Sequence, residues 1–254
     1  MSRKPLWVGT SWKMNKGPSA ARAAAEALAA IDVPDGIHPF VIPPFTSLEA
    51  VAGLLEATRW QVGAQNMHWE DEGAWTGEIS PPMVRECGAT LIELGHSERR
   101  EHFGETDVTV NLKVKAALHH GLSPLICIGD SAEEYASGAT HDTLARQVRM
   151  ALHELPAASI GAIRLAYEPV WAIGAQGRAA ESDFVAAAHA RLRSVLAELA
   201  GVDIARRVPI LYGGSVSLEN ASGYTALADV DGVFIGRSAW SPAGLEAIIR
   251  SVAS

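Results

Sequence analysis

The sequence is poor in cysteine and has no long apolar or basic run. Its 254 residues contain only Cys87 and Cys127, too few for a disulfide framework, which favours reduced thiols in the cytoplasm. No apolar run approaches the roughly 18 residues of a membrane span, and residues 6–8 are too few for the core of a signal peptide. With a net charge of −8 and no basic tract, the chain is expected to bind neither nucleic acid nor membrane.

Further absences bear on nucleotide sites, metal sites and domain number. The first apolar run is followed by SWKMNKG and not by the G-x-G-x-x-G turn of a dinucleotide site. His96 and His102 are six residues apart, which does not place them on one helical face, so no metal site is expected. No linker, low-complexity segment or charge block divides the chain. We therefore expect one domain over residues 1–254.

Short apolar runs recur along the chain and predict eight strands. Continuous apolar runs of this length are typical of strands buried on both faces of a parallel sheet. Helical patterns, at residues 20–30, 106–120 and 181–199 among others, lie between them. The predicted strands are residues 6–9, 39–42, 61–64, 90–94, 124–128, 164–167, 209–212 and 232–235.

This alternation of strand and helix predicts a (β/α)8 TIM barrel, an α/β fold that needs roughly 250 residues. An open, doubly wound sheet is the alternative, because it has the same alternation. In a barrel, ligands bind at the loops that follow the carboxyl ends of the strands. The polar residues directly after each predicted strand are therefore the candidates for a functional site.

Lys13 and His96 follow the first and fourth predicted strands. A lysine at this place either points into the barrel mouth or pairs with a carboxylate, and the sequence leaves both open. His96 is predicted to open a helical turn, where the helix N-terminus favours the neutral imidazole. A neutral imidazole can donate a hydrogen bond to a carbonyl or enediol oxygen, although a purely structural histidine is the alternative.

Glu168 follows the sixth predicted strand, among aromatic and aliphatic neighbours. Partial desolvation there suits a carboxylate to act as a general base, with a structural salt bridge as the alternative. Pro169 stiffens the start of the next loop, and the small residues 174–177 follow, a pattern that fits a mobile lid. Glycine turns after strands seven and eight, at residues 213–215 and 236–238, predict a phosphate site made of backbone N–H groups.

These motifs resemble the triosephosphate isomerase family over nearly the whole chain. That resemblance implies cofactor-free proton transfer between adjacent carbons of a small phosphorylated ketose or aldose, through a cis-enediolate. The matching motifs are SWKMN near the start, AQN at 64–66, GAWTGEIS at 73–80, LGHSERR at 94–100, CIG at 127–129, AYEPVWAIG at 166–174 and LYGGSV at 211–216.

The resemblance also implies a role for individual residues. Glu168 would be the catalytic base, His96 the electrophile and Lys13 the cation that binds substrate. Asn15 and Glu98 would support them, and a lid at residues 169–179 would close over the phosphate. The implied phosphate ligands are Gly174, Ser215, Gly236 and the backbone of Arg237, and Tyr212 with Ser215 would latch the closed lid.

Several positions depart from the usual family pattern. Ser11 replaces an asparagine, Arg237 replaces a glycine, and the lid tip reads AQGR at 175–178. Together with Trp69 and Trp240, these departures resemble the branch assigned as L-erythrulose-1-phosphate isomerases. That substrate is dihydroxyacetone phosphate with one hydrogen of its hydroxymethyl group replaced by CH2OH, so we expect the smaller Ser11 to make room for it. Triosephosphate isomerase proper and, more remotely, a non-catalytic phosphate-binding barrel are the alternatives.

The loop at residues 73–80 carries an apolar tip that would be unfavourable in solvent. In the family this loop inserts into a partner subunit, beside the partner's first and fourth loops. The resemblance therefore implies a homodimer, with Trp75 and Thr76 at the contact. The alternative is a loop that folds back onto its own barrel.

Overall fold

A computed structural model describes residues 4–174 and 177–254 of the chain. Eight parallel strands pair in chain order and close into a barrel, which confirms the predicted fold. Each strand is followed by at least one helical segment that covers the outside of the barrel. The strands are β1 (Leu6–Ser11), β2 (Ile37–Ile42), β3 (Gln61–Ala64), β4 (Leu91–Leu94), β5 (Ser123–Ile128), β6 (Arg164–Tyr167), β7 (Ile210–Tyr212) and β8 (Gly232–Ile235).

The helices within the described residues include the three predicted segments. The helix predicted at 106–120 begins after Thr106, whose side chain and that of Thr109 form a reciprocal capping box. The α-helices are α1 (Pro18–Ala29), α2 (Leu48–Leu55), α3 (Pro81–Glu86), α4 (Ser97–Phe103), α5 (Asp107–His119), α6 (Ala132–Ala136), α7 (Thr140–Ala151), α8 (Ala157–Ile160), α9 (Ser182–Ala200), α10 (Val202–Ala205), α11 (Ala221–Thr225) and α12 (Pro242–Ala253). Short 3₁₀ turns lie at Phe45–Ser47, Val170–Ala172 and Arg237–Ala239.

The interior of the barrel is filled by side chains from alternate strand positions. One apolar cluster occupies it, and a second, larger cluster joins the outer faces of the strands to the helices. Gly9 faces inward, since a Cβ there would lie 2.4 Å from the Phe40 ring. The inner cluster consists of Phe40, Ile42, Leu91, Leu125, Cys127, Ala166, Leu211 and Phe234.

This alternation determines which polar side chains reach the carboxyl end of the barrel. Residues two apart along a strand point to the same face. Ser11 therefore continues the inward row of Gly9, Glu93 that of Leu91, and Glu168 that of Ala166. These three polar side chains consequently lie at the carboxyl end of the apolar inner cluster, whereas Arg164 bonds to Ser123 and Gln61 at its amino end.

The structure extends β1 two residues beyond its predicted end at residue 9. Thr10 and Ser11 pair with Val41 and Ile42 of β2, so the strand continues through them. The carbonyl of Ser11 also accepts a hydrogen bond from the Trp240 indole at 2.9 Å. Backbone pairing of this kind has no signature in local composition, and it makes Ser11 a barrel residue where a loop residue was predicted. The helices described here include none long and apolar enough to cross a membrane.

Candidate active site

Lys13 lies just beyond β1 and satisfies both sequence interpretations, because it lines the barrel mouth and also pairs with a carboxylate. Its Nζ lies 2.6 Å from Oε1 of Glu98. Burial alone would lower the Lys13 pKa, but the charges of Glu168 and Glu98 outweigh burial and raise the pKa. The backbone at Lys13 is left-handed, with φ at +52°, and its carbonyl accepts a hydrogen bond from Gln65. Lys13 therefore carries a charged ammonium group that Glu98 holds, on a backbone that Gln65 anchors.

His96 is the N-cap of α4, and its side chain is buried. Its Nδ1 accepts a hydrogen bond from the backbone N–H of Glu98 at 3.1 Å. A ring nitrogen that accepts a hydrogen bond carries no proton, so in this geometry the ring N–H is at Nε2. That Nε2 lies 3.7 Å from Oε2 of Glu168. His96 can therefore donate a hydrogen bond to a substrate oxygen in the same region that the Glu168 carboxylate faces.

Glu168 follows β6 and is 6% exposed. Its backbone N–H donates to the Ile128 carbonyl at 2.8 Å, which anchors the chain where the strand ends. A Cβ at Gly213 would lie 2.6 Å from its Cγ, so the glycine turn after β7 is what leaves room for the carboxylate. Within the described residues, neither Oε2 of Glu168 nor Nε2 of His96 has a hydrogen-bond partner. Both groups are thus free to act on a ligand.

Glu93 was not found by sequence reasoning, although it lies beside these groups. Burial raises its pKa to about 7; the charge of Glu168 adds to this, while His96, the Ser11 hydroxyl and Lys13 oppose it. The signal was an acidic residue at the inward position of an apolar strand, Leu-Ile-Glu-Leu. Recognising that position requires knowing which residues of β4 face inward, and the run of apolar residues alone does not show this.

A cavity of about 500 Å³ extends from the ends of β1 and β6 to the glycine turns that follow β7 and β8. Lys13, Ser11 and Glu168 line one part of it. The residues predicted to hold phosphate all line the same cavity, namely Gly174, Ser215, Gly236 and Arg237. The structure thus brings the predicted phosphate ligands to one space with Lys13 and Glu168, while His96 lines a smaller cavity that shares Lys13 with it. The individual roles of these residues stay predictions.

Asn15 and Tyr212 are not among the residues that line this cavity. Asn15 is exposed and donates a hydrogen bond to the Trp12 carbonyl at 3.0 Å, within the loop that carries Lys13. Tyr212 is buried, and its ring lies 4.4 Å from that of Tyr224, whose hydroxyl donates to the Ala180 carbonyl. This chain of contacts connects β7 to the segment that ends the predicted lid.

The predicted lid is described only in part, whereas the predicted dimer loop lies wholly within the described residues. Of the lid tip, Ala175 and Gln176 lie outside the described residues. Gly174 has a φ of +83°, a backbone conformation that favours glycine. In the loop at 73–80, Trp75 is half-exposed and packs on His68 of its own chain, with ring centroids 4.4 Å apart. Across residues 4–174 and 177–254, no cluster of His, Cys, Asp or Glu side chains could hold a metal ion.

Comparison with known proteins assigns the chain to a family. The model of the family described as triosephosphate isomerase matches residues 6–252. A protein of Brucella abortus (strain 9-941) named L-erythrulose-1-phosphate isomerase is 53% identical over 253 residues, covering 98% of this chain and 97% of that protein. A protein of the same name from Rhizobium meliloti (strain 1021) is 51% identical over 256 residues, covering 100% of this chain and 99% of that protein. This chain belongs to the triosephosphate isomerase family.

Proposed function

We propose that this isomerase converts L-erythrulose 1-phosphate to D-erythrulose 4-phosphate. The observation that carries the proposal is the pair of buried, unpartnered atoms 3.7 Å apart, Nε2 of His96 and Oε2 of Glu168, beside the charged Lys13. A base and a hydrogen-bond donor facing the same point suit proton transfer next to a carbonyl group. The choice of a four-carbon substrate is supported by the names of the relatives from Brucella and Rhizobium.

The proposed reaction moves one proton from C3 to C2 and a second from the C3 hydroxyl to the C2 oxygen, and it forms no covalent bond to the protein. Glu168 removes the proton from C3 of the substrate, and the electron pair moves onto the C2 carbonyl oxygen to give the cis-enediolate. Lys13 and the Nε2–H of His96 stabilise that oxyanion. The C3 hydroxyl proton passes to the C2 oxygen through His96, and Glu168 returns its proton to C2, so that C3 becomes the carbonyl carbon. A lid over residues 169–179 would exclude water and limit loss of phosphate from the intermediate.

The phosphate would be held by Gly174, Ser215, Gly236 and the Arg237 backbone at the far part of the 500 Å³ cavity. Backbone N–H groups at glycine turns suit an oxyanion, and the exposed Arg237 side chain adds a cation nearby. A local positive site of this kind allows a chain with net charge −8 to bind an anionic substrate.

Ser11 is proposed to determine the length of the sugar that the site accepts. It is 3% exposed, points inward at the end of β1 and lines the cavity next to Lys13. We expect Ser11→Asn to lower kcat/KM for the tetrulose phosphate relative to dihydroxyacetone phosphate, because the larger side chain fills the space that the fourth carbon needs. An unchanged ratio of the two kcat/KM values would refute this role.

A second candidate function, triosephosphate isomerase proper, is favoured by the name of the matching family model. The deciding experiment measures kcat/KM for L-erythrulose 1-phosphate and for dihydroxyacetone phosphate on one enzyme preparation. We expect a higher value for the tetrulose phosphate. A much higher value for the triose would overturn the substrate assignment while leaving the isomerase chemistry in place, and absence of solvent-proton exchange into both would favour a non-catalytic barrel.

We also propose that the chain forms a homodimer through the loop at 73–80. Exposed apolar side chains support this, since Met14 beyond β1, Phe103 in α4 and Trp75 in the loop itself are 96%, 69% and 49% exposed. Burying such groups against a second copy would remove apolar surface from water. A cytoplasmic location is proposed as well, because Cys87 and Cys127 are both free thiols.

A further inference from the structure

A smaller cavity of about 210 Å³ adjoins the proposed substrate site. The two cavities share Ser11, Lys13 and Glu98 in their walls. The buried Glu93 and His96 line the smaller one, and so do the exposed Met14 and Phe103, which the proposed dimer would cover. Only the part of it next to Ser11 and Glu93 is therefore considered for the substrate. The smaller cavity therefore lies beside the reacting groups. The residues that it shares with the larger cavity belong to β1, the loop after β1 and α4, and none belongs to the glycine turns.

Glu93 is a buried carboxyl group for which the proposed proton transfer has no use. It is 3% exposed, and its Oε2 has no hydrogen-bond partner among the described residues. The charged or titratable groups that act on it are Glu168, His96 and Lys13, and the Ser11 hydroxyl interacts with it directly. An unpartnered acceptor in an apolar strand is costly, so a ligand that supplies a donor there would be favoured.

The order of groups along the proposed substrate identifies such a donor. The phosphate is on C1, the proton is removed from C3, and the extra hydroxymethyl group is C4. With the phosphate at the glycine turns and C3 between Glu168 and His96, C4 extends beyond the reacting carbons, away from the phosphate. The walls of the smaller cavity contain none of the glycine-turn residues, and Ser11 and Glu93 are among the residues that line it.

We propose that Glu93, with Ser11, is a specificity-determining residue that accepts a hydrogen bond from the C4 hydroxyl of the substrate. A three-carbon phosphate has no group at this place and leaves Oε2 of Glu93 unpartnered. Sites built to bond a hydroxyl discriminate strongly against analogues that lack it, because the buried polar group of the site then loses its partner. The small Ser11 side chain provides the space and Glu93 the acceptor, so the two residues act on the same carbon.

This role rests on the proposed function, and its test uses three substrates. They are L-erythrulose 1-phosphate, its 4-deoxy analogue with a terminal methyl group, and dihydroxyacetone phosphate. For the wild-type enzyme we expect kcat/KM to fall on the order of 10²-fold from the tetrulose phosphate to the 4-deoxy analogue. Equal values for these two would overturn the role of Glu93 without any variant.

The variants Glu93→Leu and Glu93→Gln then assign that discrimination to one side chain. We expect Glu93→Leu to reduce the ratio of kcat/KM between the tetrulose phosphate and its 4-deoxy analogue to less than about threefold. The variant should retain turnover of the triose phosphate, which shows that the site is folded. Glu93→Gln, which keeps a carbonyl acceptor, should retain part of the discrimination. Glu98→Gln is the matched control, because it alters a carboxylate that lines both cavities and contacts Lys13, and it should lower kcat/KM for all three substrates alike.

The possible failures can be told apart. If Glu93→Leu lowers activity on all three substrates equally, Glu93 positions Lys13 or His96 and does not bind the C4 hydroxyl. If the wild-type enzyme discriminates but Glu93→Leu discriminates just as well, another residue makes the contact. If the wild-type enzyme has no activity on the tetrulose phosphate, the proposed substrate is wrong, and this role is overturned with it.

Discussion

Replacing Glu93 with glutamine is expected to change how the stability of the barrel depends on pH. Burial, reinforced by the charge of Glu168, raises the Glu93 pKa from 4.5 to about 7. The folded protein therefore binds this proton more tightly than the unfolded chain does. The resulting stabilisation is complete below pH 4.5 and is lost as the pH rises through about 7. Glutamine is similar in size and does not titrate, so the variant lacks this dependence.

The magnitude follows from the difference between the two pKa values. Each pKa unit corresponds to about 1.36 kcal/mol, so ionising Glu93 in the folded state costs about 3 kcal/mol more than in the unfolded chain. The free energy of unfolding of the wild type, relative to Glu93→Gln, should fall by about that amount between pH 4.5 and 8. Because the comparison is a difference between two proteins, contributions from titrating groups that do not interact with Glu93 cancel.

The assay is equilibrium unfolding in urea at a series of pH values, with both proteins at one concentration so that any oligomer dissociates equally. Glu98→Gln provides a control of opposite sign. Burial alone would raise the Glu98 pKa, but the hydrogen bond from Lys13 and the nearby positive charges outweigh burial and lower it. Stability that depends on ionised Glu98 should therefore be lost as the pH falls. A difference between wild type and Glu93→Gln that stays constant within about 1 kcal/mol from pH 4.5 to 8 would refute the reasoning.

Three further outcomes follow from the contacts described above. Glu168→Gln should lower kcat roughly 10³-fold, because an amide cannot accept the proton, and NMR should show loss of solvent-deuterium exchange with an unchanged circular dichroism spectrum; exchange at the wild-type rate would contradict the assignment of the base. Lys113→Met should destabilise the fold by about 3–5 kcal/mol in urea unfolding, since it leaves the buried Glu105 carboxylate without its Lys113 partner, and a loss below about 1 kcal/mol would count against that account. Trp75→Glu should convert a dimer into a monomer in analytical ultracentrifugation, and a wild-type protein that is already monomeric would disprove the proposed interface.

Much of the barrel could be predicted because its elements have local signatures. All eight apolar runs overlap observed strands, and the capped helix α5 lies where its pattern placed it. Lys13, His96 and Glu168 could be nominated from one rule, that functional groups in a barrel follow the strand ends. Motif resemblance then led to the family that the comparison assigns. Each of these features depends only on neighbours along the chain or on the family's motif pattern.

Other features depend on contacts between segments far apart in the sequence. Ser11 is a strand residue because β2 pairs with it, and Lys113 of α5 donates a hydrogen bond to Asn66, which lies 47 positions away. The 3.7 Å approach of His96 to Glu168 joins residues 72 positions apart. Composition and periodicity carry no information about such distances.

Glu93 illustrates the division between the two levels. The amino-acid sequence alone determines that β4 contains one carboxyl group among three apolar side chains. Which face that carboxyl group points to, and which groups lie at the same height in the barrel, depends on how eight strands are staggered when the sheet closes. The sequence thus determined the barrel, its strand-end residues and its family, whereas closure of the sheet decided which polar groups meet in its interior.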